Sequence, residues 1–166
     1  MCLVGFMGAG KTSVGRVLSV RLGWPFEDLD DRIEAQEGRS VAEIFRDAGE
    51  EGFRRAETAA LRQVLTGIGS SPRIIALGGG AIAQAENTRL LQQSEAAMVF
   101  LDAPVEELFR RCDQEGRVRP LRRDLKQFRE LYEQRRSFYS SAPCRIDTSG
   151  KDLETVAAEV ACSLGL

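Results

Sequence analysis

The chain has 166 residues, of which 43% are hydrophobic and 29% are charged, a composition that fits one folded domain over residues 1–166 and excludes wholesale disorder. Its 23 lysines and arginines and 25 aspartates and glutamates give a net charge of −2, so a nucleic-acid binder with a basic footprint is not expected. Histidine is absent, which excludes Ser-His-Asp and Cys-His nucleophiles and HExxH zinc sites.

The cysteine and hydrophobicity patterns indicate a protein of the reducing cytoplasm. No CxxC pair and no secretory signal peptide is present, so we expect four reduced, buried thiols, at Cys2, Cys112, Cys144 and Cys162. No apolar run approaches the roughly 20 residues that cross a bilayer. We therefore expect a cytoplasmic monomer whose partners are small molecules, with no nucleic acid and no membrane among them.

Taken in chain order, short apolar runs alternate with longer amphipathic ones. The apolar runs predict strands at residues 1–4, 24–27, 73–77, 96–101 and 144–147. Helical spacing and capping signals predict helices at residues 11–22, 40–48, 53–65, 86–93, 105–112, from 125 onward, and 153–164. This alternation predicts an α/β fold in which about five parallel strands are covered by helices on both faces.

Residues 5–12, with the sequence GFMGAGKT, match the pattern G-x-x-x-x-G-K-[ST] between a predicted strand and a predicted helix. Glycines allow backbone N–H groups to surround phosphate oxygens, and the helix N-terminus adds positive potential. Lys11 would reach the β- and γ-phosphates of ATP, and the Thr12 hydroxyl would bind Mg²⁺. The pattern leaves the phosphate acceptor open. The predicted nucleotide-binding residues are Gly8, Ala9, Gly10, Lys11, Thr12 and Ser13.

Asp28 and Asp30 follow the second predicted strand, at the sheet edge where ligands of open α/β sheets bind. Because residues two apart on an extended segment share a face, the two side chains would point the same way. One carboxylate would then bind Mg²⁺ while the other orients or deprotonates an acceptor hydroxyl. The alternative, a solvated loop with acids at the start of the next helix, stays open on these residues alone.

Three further features each allow a functional and a plain structural interpretation. Arg54 and Arg55 are adjacent on a predicted helix, so they point about 100° apart and only one can lie over a common pocket; local salt bridges are the alternative. The glycine triplet (residues 78–80) either admits a ligand close to the backbone or is a flexible loop. The arginine-rich residues 110–123 predict either a mobile lid at about residues 112–124 or a solvated basic loop.

Together these patterns resemble the shikimate kinases, small P-loop kinases related in fold to the nucleoside monophosphate kinases. The resemblance runs from residue 3 almost to the C-terminus. Apart from the first segment, each matching segment is a weak signal alone, and the resemblance rests on the order in which the segments occur. Those segments are residues 3–12, 28–30, 38–40, 53–55, 77–81, 118–121 and 135–139. The resemblance implies a three-layer P-loop kinase fold with a substrate-binding segment at about residues 28–58.

The resemblance also implies roles for the matched positions. Asp28 would lie near the magnesium, and Asp30 would bind the acceptor hydroxyls as the base candidate. Arg54 and Arg135 would grip a substrate carboxylate, which suits the two-pronged geometry of guanidinium groups. The other implied contacts are the substrate pocket lined by Gly78, Gly79 and Gly80, the bridge from Arg119 between substrate and phosphate, and the packing of Arg111 on adenine.

The implied activity is transfer of the γ-phosphoryl group of ATP, with Mg²⁺, to the 3-hydroxyl of shikimate, on the route to chorismate and the aromatic amino acids. Lys11, Asp30 and Arg119 would be the catalytic residues. One alternative is another P-loop kinase, such as a gluconate kinase, because any acid substrate would explain Arg54 and Arg135. The other is an inactive nucleotide- or shikimate-binding regulator, which the joint presence of Lys11, Asp30 and Arg119 disfavours.

Overall fold

Five short strands form a parallel sheet in the order β2-β3-β1-β4-β5 in the computed structural model of the chain. The strands are β1 Cys2–Val4, β2 Phe26–Asp28, β3 Ile74–Ala76, β4 Met98–Asp102 and β5 Cys144–Asp147. The structure describes residues 1–66, 71–114 and 124–166. The predicted α/β fold with about five parallel strands is confirmed, and each strand lies close to its predicted residues.

Helices flank this sheet. They are α1 Lys11–Leu22, α2 Leu29–Glu37, α3 Val41–Thr66, α4 Ala85–Gln93, α5 Val105–Gln114, α6 Leu125–Tyr139 and α7 Leu153–Ser163, with a 3₁₀ turn at Ala81–Ala83. Helix α1 packs against α7, and α3 packs against α2 and α4. Among the described residues, no helix is both long enough and apolar enough to span a membrane.

Capping side chains set several of the helix starts, including two that the sequence predicts. At the start of α3, the backbone N–H of Ser40 donates to Glu43 Oε2 at 2.8 Å and the backbone N–H of Glu43 donates to Ser40 Oγ at 3.3 Å, which is the predicted capping box. Asp124 Oδ1 accepts from the backbone N–H of Gln127 at 2.9 Å and so caps α6. Inside α3, Gly49 has a φ of 68° and breaks the helix where the sequence predicts one helix to end and another to follow.

The carboxyl ends of β1, β2 and β3 lie side by side at one edge of the sheet. Leu3 of β1 and Asp28 of β2 are both in register with Ala76 of β3. The phosphate-binding loop (residues 5–10) follows β1, and the glycine triplet follows β3. Parallel pairing therefore brings three segments that are far apart in the sequence to one place, which is where ligands bind in open α/β sheets.

Aromatic packing places α6 next to the phosphate-binding loop. The ring of Phe6, inside that loop, lies 4.9 Å from the ring of Phe128 and 5.4 Å from the ring of Tyr132, both edge-to-face. Tyr139, at the last residue of α6, lies 6.4 Å from the same ring. Because Arg135 lies between Tyr132 and Tyr139 on the helix, this packing carries its guanidinium to the sheet edge.

Two sequence predictions are wrong. Asp30 does not lie on an extended segment, because Asp28 caps α2 and Asp30 falls in the first turn of that helix. The four thiols are free as predicted, but they are not all buried: Cys144 is partly buried and Cys162 is exposed. Cys162 lies in the last turn of α7, where the neighbouring Ala161 takes the buried position.

The predicted lid lies mostly outside the described residues. Helix α5 continues through residues 112–114, and Asp124 already belongs to the start of α6. Residues 115–123, which include Arg119, are not among those that the structure describes.

Candidate active site

The phosphate-binding loop turns tightly from β1 into α1. Gly8 and Gly10 have φ values of 79° and 85°, a conformation that side chains with a Cβ rarely adopt. At Gly8 there is also no room for a side chain, since a Cβ would lie 2.3 Å from the carbonyl oxygen of Leu108. Lys11 Nζ donates to the carbonyl oxygens of Gly5 and Phe6, both at 3.0 Å, so its ammonium lies over the loop.

Thr12 and Asp28 bring two oxygen ligands together beside this loop. The Thr12 hydroxyl donates to Asp28 Oδ2 at 2.6 Å, and Asp28 Oδ1 accepts from the backbone N–H of Asp30 at 3.0 Å. Hydroxyl and carboxylate oxygens are the ligands that Mg²⁺ prefers, and a magnesium ion that carries nucleotide phosphates needs only one or two of them from the protein. The donor set therefore fits the predicted Mg²⁺.

A cavity of about 290 Å³ adjoins the loop on the side of α5 and α7. Arg111 forms part of its wall and is fixed there by three hydrogen bonds: to Thr148 Oγ1 at 2.9 Å, to the Thr148 carbonyl oxygen at 2.8 Å and to Glu107 Oε1 at 2.6 Å. A guanidinium group is planar, and a planar base can stack on its face. The lining residues are Gly8, Ala9, Gly10, Ser13, Val14, Arg111, Thr148, Lys151, Leu153 and Val156.

Arg54 and Arg55 on α3 have opposite environments. The Arg54 side chain is only 16% exposed, and its Nη1 donates to Glu57 Oε2 at 2.8 Å. The Arg55 side chain is 70% exposed and pairs with Glu51 on the surface at 2.6 Å. A Cβ at Gly80 would lie 2.5 Å from Arg54 Nη2, so the guanidinium of Arg54 rests directly against the glycine triplet.

Arg54 Nη2 also donates to Glu50 Oε1 at 3.1 Å, so Glu57 is one of two carboxylates among the described residues that hold Arg54 in place. Glu57 is completely buried, and its Oε2 also accepts from Gln84 Nε2 at 2.7 Å, whereas Oε1 has no hydrogen-bond partner within the described structure. Burial raises the pKa of Glu57, and this effect outweighs the opposing attraction of Arg54. The sequence places Glu57 three residues after Arg54, on the same face of a helix, which is the signal that would have singled it out.

Asp30 and Glu57 approach the triplet at Gly78. A Cβ at Gly78 would lie 2.8 Å from Glu57 Oε1 and 3.1 Å from Asp30 Oδ1, so any side chain there would collide with one carboxylate and crowd the other. The charge of Asp30 contributes to the raised pKa of Glu57, which reflects the same proximity. Asp30 is therefore joined to Asp28 through its backbone N–H and lies close to Glu57, which pairs with Arg54.

Arg135 and Tyr139 of α6 contact the triplet at Gly79. Arg135 Nη1 donates to the Gly79 carbonyl oxygen at 3.4 Å, and the Tyr139 hydroxyl donates to the same oxygen. Burial lowers the pKa of Arg135, and the like charge of Arg54 contributes to that lowering. Two guanidinium groups from different helices therefore converge on the glycine triplet, where a bound anion would relieve their repulsion.

The described site residues form two adjoining groups at the sheet edge. The first group consists of the loop residues, Asp28 and Arg111. The second group consists of Asp30, Arg54, Arg135 and the glycine triplet. Arg119 belongs to neither group because it lies outside the described residues. Sequence reasoning missed Glu57 as an anchor of Arg54, and it missed Glu107, the carboxylate that holds Arg111 at the cavity wall.

Comparison with known proteins agrees with this arrangement. The family model described as shikimate kinase matches residues 7–164. A shikimate kinase from Symbiobacterium thermophilum is 43% identical over 163 residues, covering 95% of this chain and 91% of the relative. The solved structure of a shikimate kinase from Acinetobacter baumannii in complex with shikimate superposes with a TM-score of 0.89 at 36% identity, covering 99% of this chain and 92% of that one.

A gluconokinase from Sinorhizobium meliloti also superposes, with a TM-score of 0.64 over 99% of this chain and 90% of that one, but at 19% identity. At that identity the likeness shows a common fold and nothing about the acceptor. The family model, by contrast, matches nearly the whole chain, and the shikimate kinase relatives retain a third or more of its residues. This chain belongs to the shikimate kinase family.

Proposed function

We propose that the protein transfers the γ-phosphoryl group of ATP to the 3-hydroxyl of shikimate, giving shikimate 3-phosphate and ADP for the synthesis of chorismate and the aromatic amino acids. The observation that carries this proposal is the convergence of Arg54 and Arg135 on the glycine triplet, directly beside the phosphate-binding loop. Two guanidinium groups suit an acceptor that carries a carboxylate.

The nucleotide occupies the loop and the adjoining cavity in this proposal. Backbone N–H groups of residues 8–13 and the ammonium of Lys11 bind the phosphates, while adenine stacks on Arg111. Thr12 and Asp28 would hold Mg²⁺. When bound, the ion neutralises charge on the β- and γ-phosphates.

The acceptor occupies the second group of residues. Arg54 and Arg135 bind its carboxylate, and the side-chain-free triplet of Gly78, Gly79 and Gly80 lets its ring approach the backbone. Asp30 accepts a hydrogen bond from the reacting hydroxyl and takes its proton as the oxygen attacks phosphorus. Lys11 stabilises the charge that develops on the transferred group, so catalysis is mainly positional and electrostatic.

All contacts in this proposal come from one copy of the chain, which supports a monomer as the active unit. The four free cysteines support a reducing compartment such as the cytoplasm. Light scattering on the active protein tests the first point: a mass of one chain at assay concentration is expected, and a stable larger mass would contradict it.

A panel of acceptors tests the proposed reaction. The purified protein with ATP and Mg²⁺ is assayed for ADP release with shikimate, gluconate and nucleoside monophosphates, and the product is located by ³¹P NMR. We expect shikimate to exceed every other acceptor by at least about 100-fold in kcat/KM, because a site built for one acid leaves polar groups unpaired with another. Preference for gluconate would favour a gluconate kinase. Binding of ATP and shikimate without turnover would favour an inactive regulator.

A further inference from the structure

We propose that Asn87, together with Thr58, is a positioning residue that sets the distance between the carboxylate-binding Arg54 and the glycine triplet. The proposal rests on the proposed function, because it concerns how the acceptor acid is held. Asn87 lies in α4 and is completely buried. Within the described residues its side-chain hydrogen bonds reach neither the phosphate-binding loop nor Arg54 and Arg135, and the proposed reaction gives it no role.

Asn87 joins two segments of the site through both ends of its amide. Its Nδ2 donates to the carbonyl oxygen of Ala81 at 3.0 Å, and its Oδ1 accepts from the Thr58 hydroxyl at 2.8 Å. Ala81 directly follows Gly80, the last glycine of the triplet. Thr58 directly follows Glu57 and lies one helical turn after Arg54 on α3. One buried side chain therefore links the segment that carries Arg54 to the segment against which Arg54 rests.

The link controls the distance between Gly80 and the Arg54 guanidinium, and this distance is short. A Cβ at Gly80 would lie 2.5 Å from Arg54 Nη2 and 2.7 Å from Arg54 Nη1. A small separation of α3 from the triplet would open a gap at this contact and change the angle at which Arg54 meets an acid. Bidentate pairing of guanidinium and carboxylate depends on that angle, so affinity for the acid depends on the link.

The chemistry of the pair defines a conservative test. Thr58→Val keeps the shape of the side chain but removes the donated proton, and this leaves Asn87 Oδ1 buried without its partner. Thr58→Ser restores the hydroxyl. Asn87→Asp gives an independent second variant, since a carboxylate cannot donate to the Ala81 carbonyl.

Thr88 offers a matched control on the same helix. Its hydroxyl donates to the carbonyl oxygen of Ile82 at 2.9 Å, in the same 3₁₀ turn that Asn87 contacts. Among the described residues, the Thr88 side chain is hydrogen-bonded to that turn alone, whereas the Asn87 side chain is also hydrogen-bonded to Thr58 of α3. Thr88→Val thus removes one hydrogen bond to the turn but leaves the link to α3 intact, which separates positioning from general stability.

The experiment measures KM for shikimate, KM for ATP, kcat and Tm for the wild type and these variants. We expect Thr58→Val to raise KM for shikimate at least about 5-fold, the effect of losing one buried hydrogen bond, with KM for ATP changed less than about 2-fold. Thr58→Ser should return KM for shikimate to within about 2-fold of the wild type. Thr88→Val should lower Tm comparably without raising KM for shikimate.

Three results would overturn the proposal: equal effects of Thr58→Val and Thr88→Val on KM for shikimate, parallel rises of both KM values, or no rescue by serine. If the wild type is active and the Thr58→Val and Asn87→Asp variants have its KM for shikimate, this inference is wrong and the proposed function stands. If the wild type neither binds nor phosphorylates shikimate, the proposed function is wrong, and this inference is wrong with it.

Discussion

The two halves of the site are built in different ways. The phosphate-binding part of the nucleotide half comes from one continuous stretch, residues 5–13, and uses mainly backbone groups held in shape by glycines with positive φ. Asp28 and Arg111 join it from other elements. The acid half is assembled from α3, the segment after β3, and α6, and its parts lie far apart in the sequence. In the phosphate-binding part, local conformation is sufficient; in the acid half, the geometry depends on how three elements pack.

This difference predicts different responses to substitution. Phosphate binding at the loop should fail when the ammonium of Lys11 is removed, and it should respond little to changes in distant side chains. The acid half should respond to changes in side chains that never touch a ligand, because Glu57, Gln84 and the missing side chains of the triplet set the position of Arg54.

Lys11→Ala should lower kcat by roughly 100- to 1000-fold, because the ammonium is the cation of the loop that stabilises charge on the transferred group. Lys11 Nζ donates to the carbonyl oxygens of Gly5 and Phe6, which belong to its own loop and not to the sheet or the helices, so Tm should change little. Lys126→Ala, on an exposed position of α6, is the control and should leave kcat unchanged. Near-normal turnover in the Lys11 variant would contradict the nucleotide half of the account.

Arg54→Lys should raise KM for shikimate about 10- to 100-fold while KM for ATP stays within about 2-fold, since lysine keeps the charge but loses the two-pronged geometry. Arg55→Lys is the matched control one residue away, and its exposed side chain should make it nearly neutral. Steady-state kinetics with each substrate varied in turn decides the matter. If the two variants showed the reverse order, the assignment of the inward face of α3 would be wrong.

Gly80→Ala should raise KM for shikimate about 5- to 10-fold without a large fall in Tm. The backbone at Gly80, with φ −111°, accepts alanine, but the new methyl would push the flexible end of Arg54 away from its position. Combining it with Arg54→Lys should add much less than the sum of the two losses, because both act on one group. Additive effects would show that the triplet and Arg54 act independently.

Glu57→Gln should change how stability depends on pH. Burial raises the pKa of Glu57 in the folded protein above its ordinary value of 4.5, so below pH 4.5 the group is protonated in both states and costs nothing. As pH rises from 4.5 towards the folded-state pKa, the unfolded chain releases its proton first, and the wild type loses stability relative to the variant.

Urea unfolding of both proteins between about pH 4 and 7.5 measures this difference. Glu51→Gln, whose side chain is 86% exposed on the same helix, controls for loss of a carboxylate from α3. If the stability of the wild type minus that of Glu57→Gln stayed constant or rose with pH, the raised pKa would be contradicted.

The same contrast explains what could be predicted from the sequence. The phosphate-binding loop, the capping box at Ser40 and the cap at Asp124 are local patterns, and the 100° turn between Arg54 and Arg55 is a property of any helix. The sequence pattern predicts an extended segment through Asp30, because a three-residue strand gives no signal of where it ends.

The remaining parts of the acid half depend on contacts between distant segments. Nothing near Asn87 in the sequence shows that it meets Thr58, and nothing near Gly80 shows that it meets Arg54. The resemblance to shikimate kinases supplied Arg135 where periodicity could not. The packing of α3, α4 and α6 around the triplet cannot be predicted from the residues alone.

Titration calorimetry with shikimate and its methyl ester, on the wild type and on Arg54→Lys, tests most directly the claim that the acid half recognises a carboxylate through Arg54. The ester keeps the ring and hydroxyls but removes the negative charge. We expect the wild type to bind shikimate at least about 30-fold more tightly than the ester, and Arg54→Lys to reduce that ratio to a few-fold, because the ligand and protein changes remove the same interaction. An equal ratio in both proteins would contradict the account.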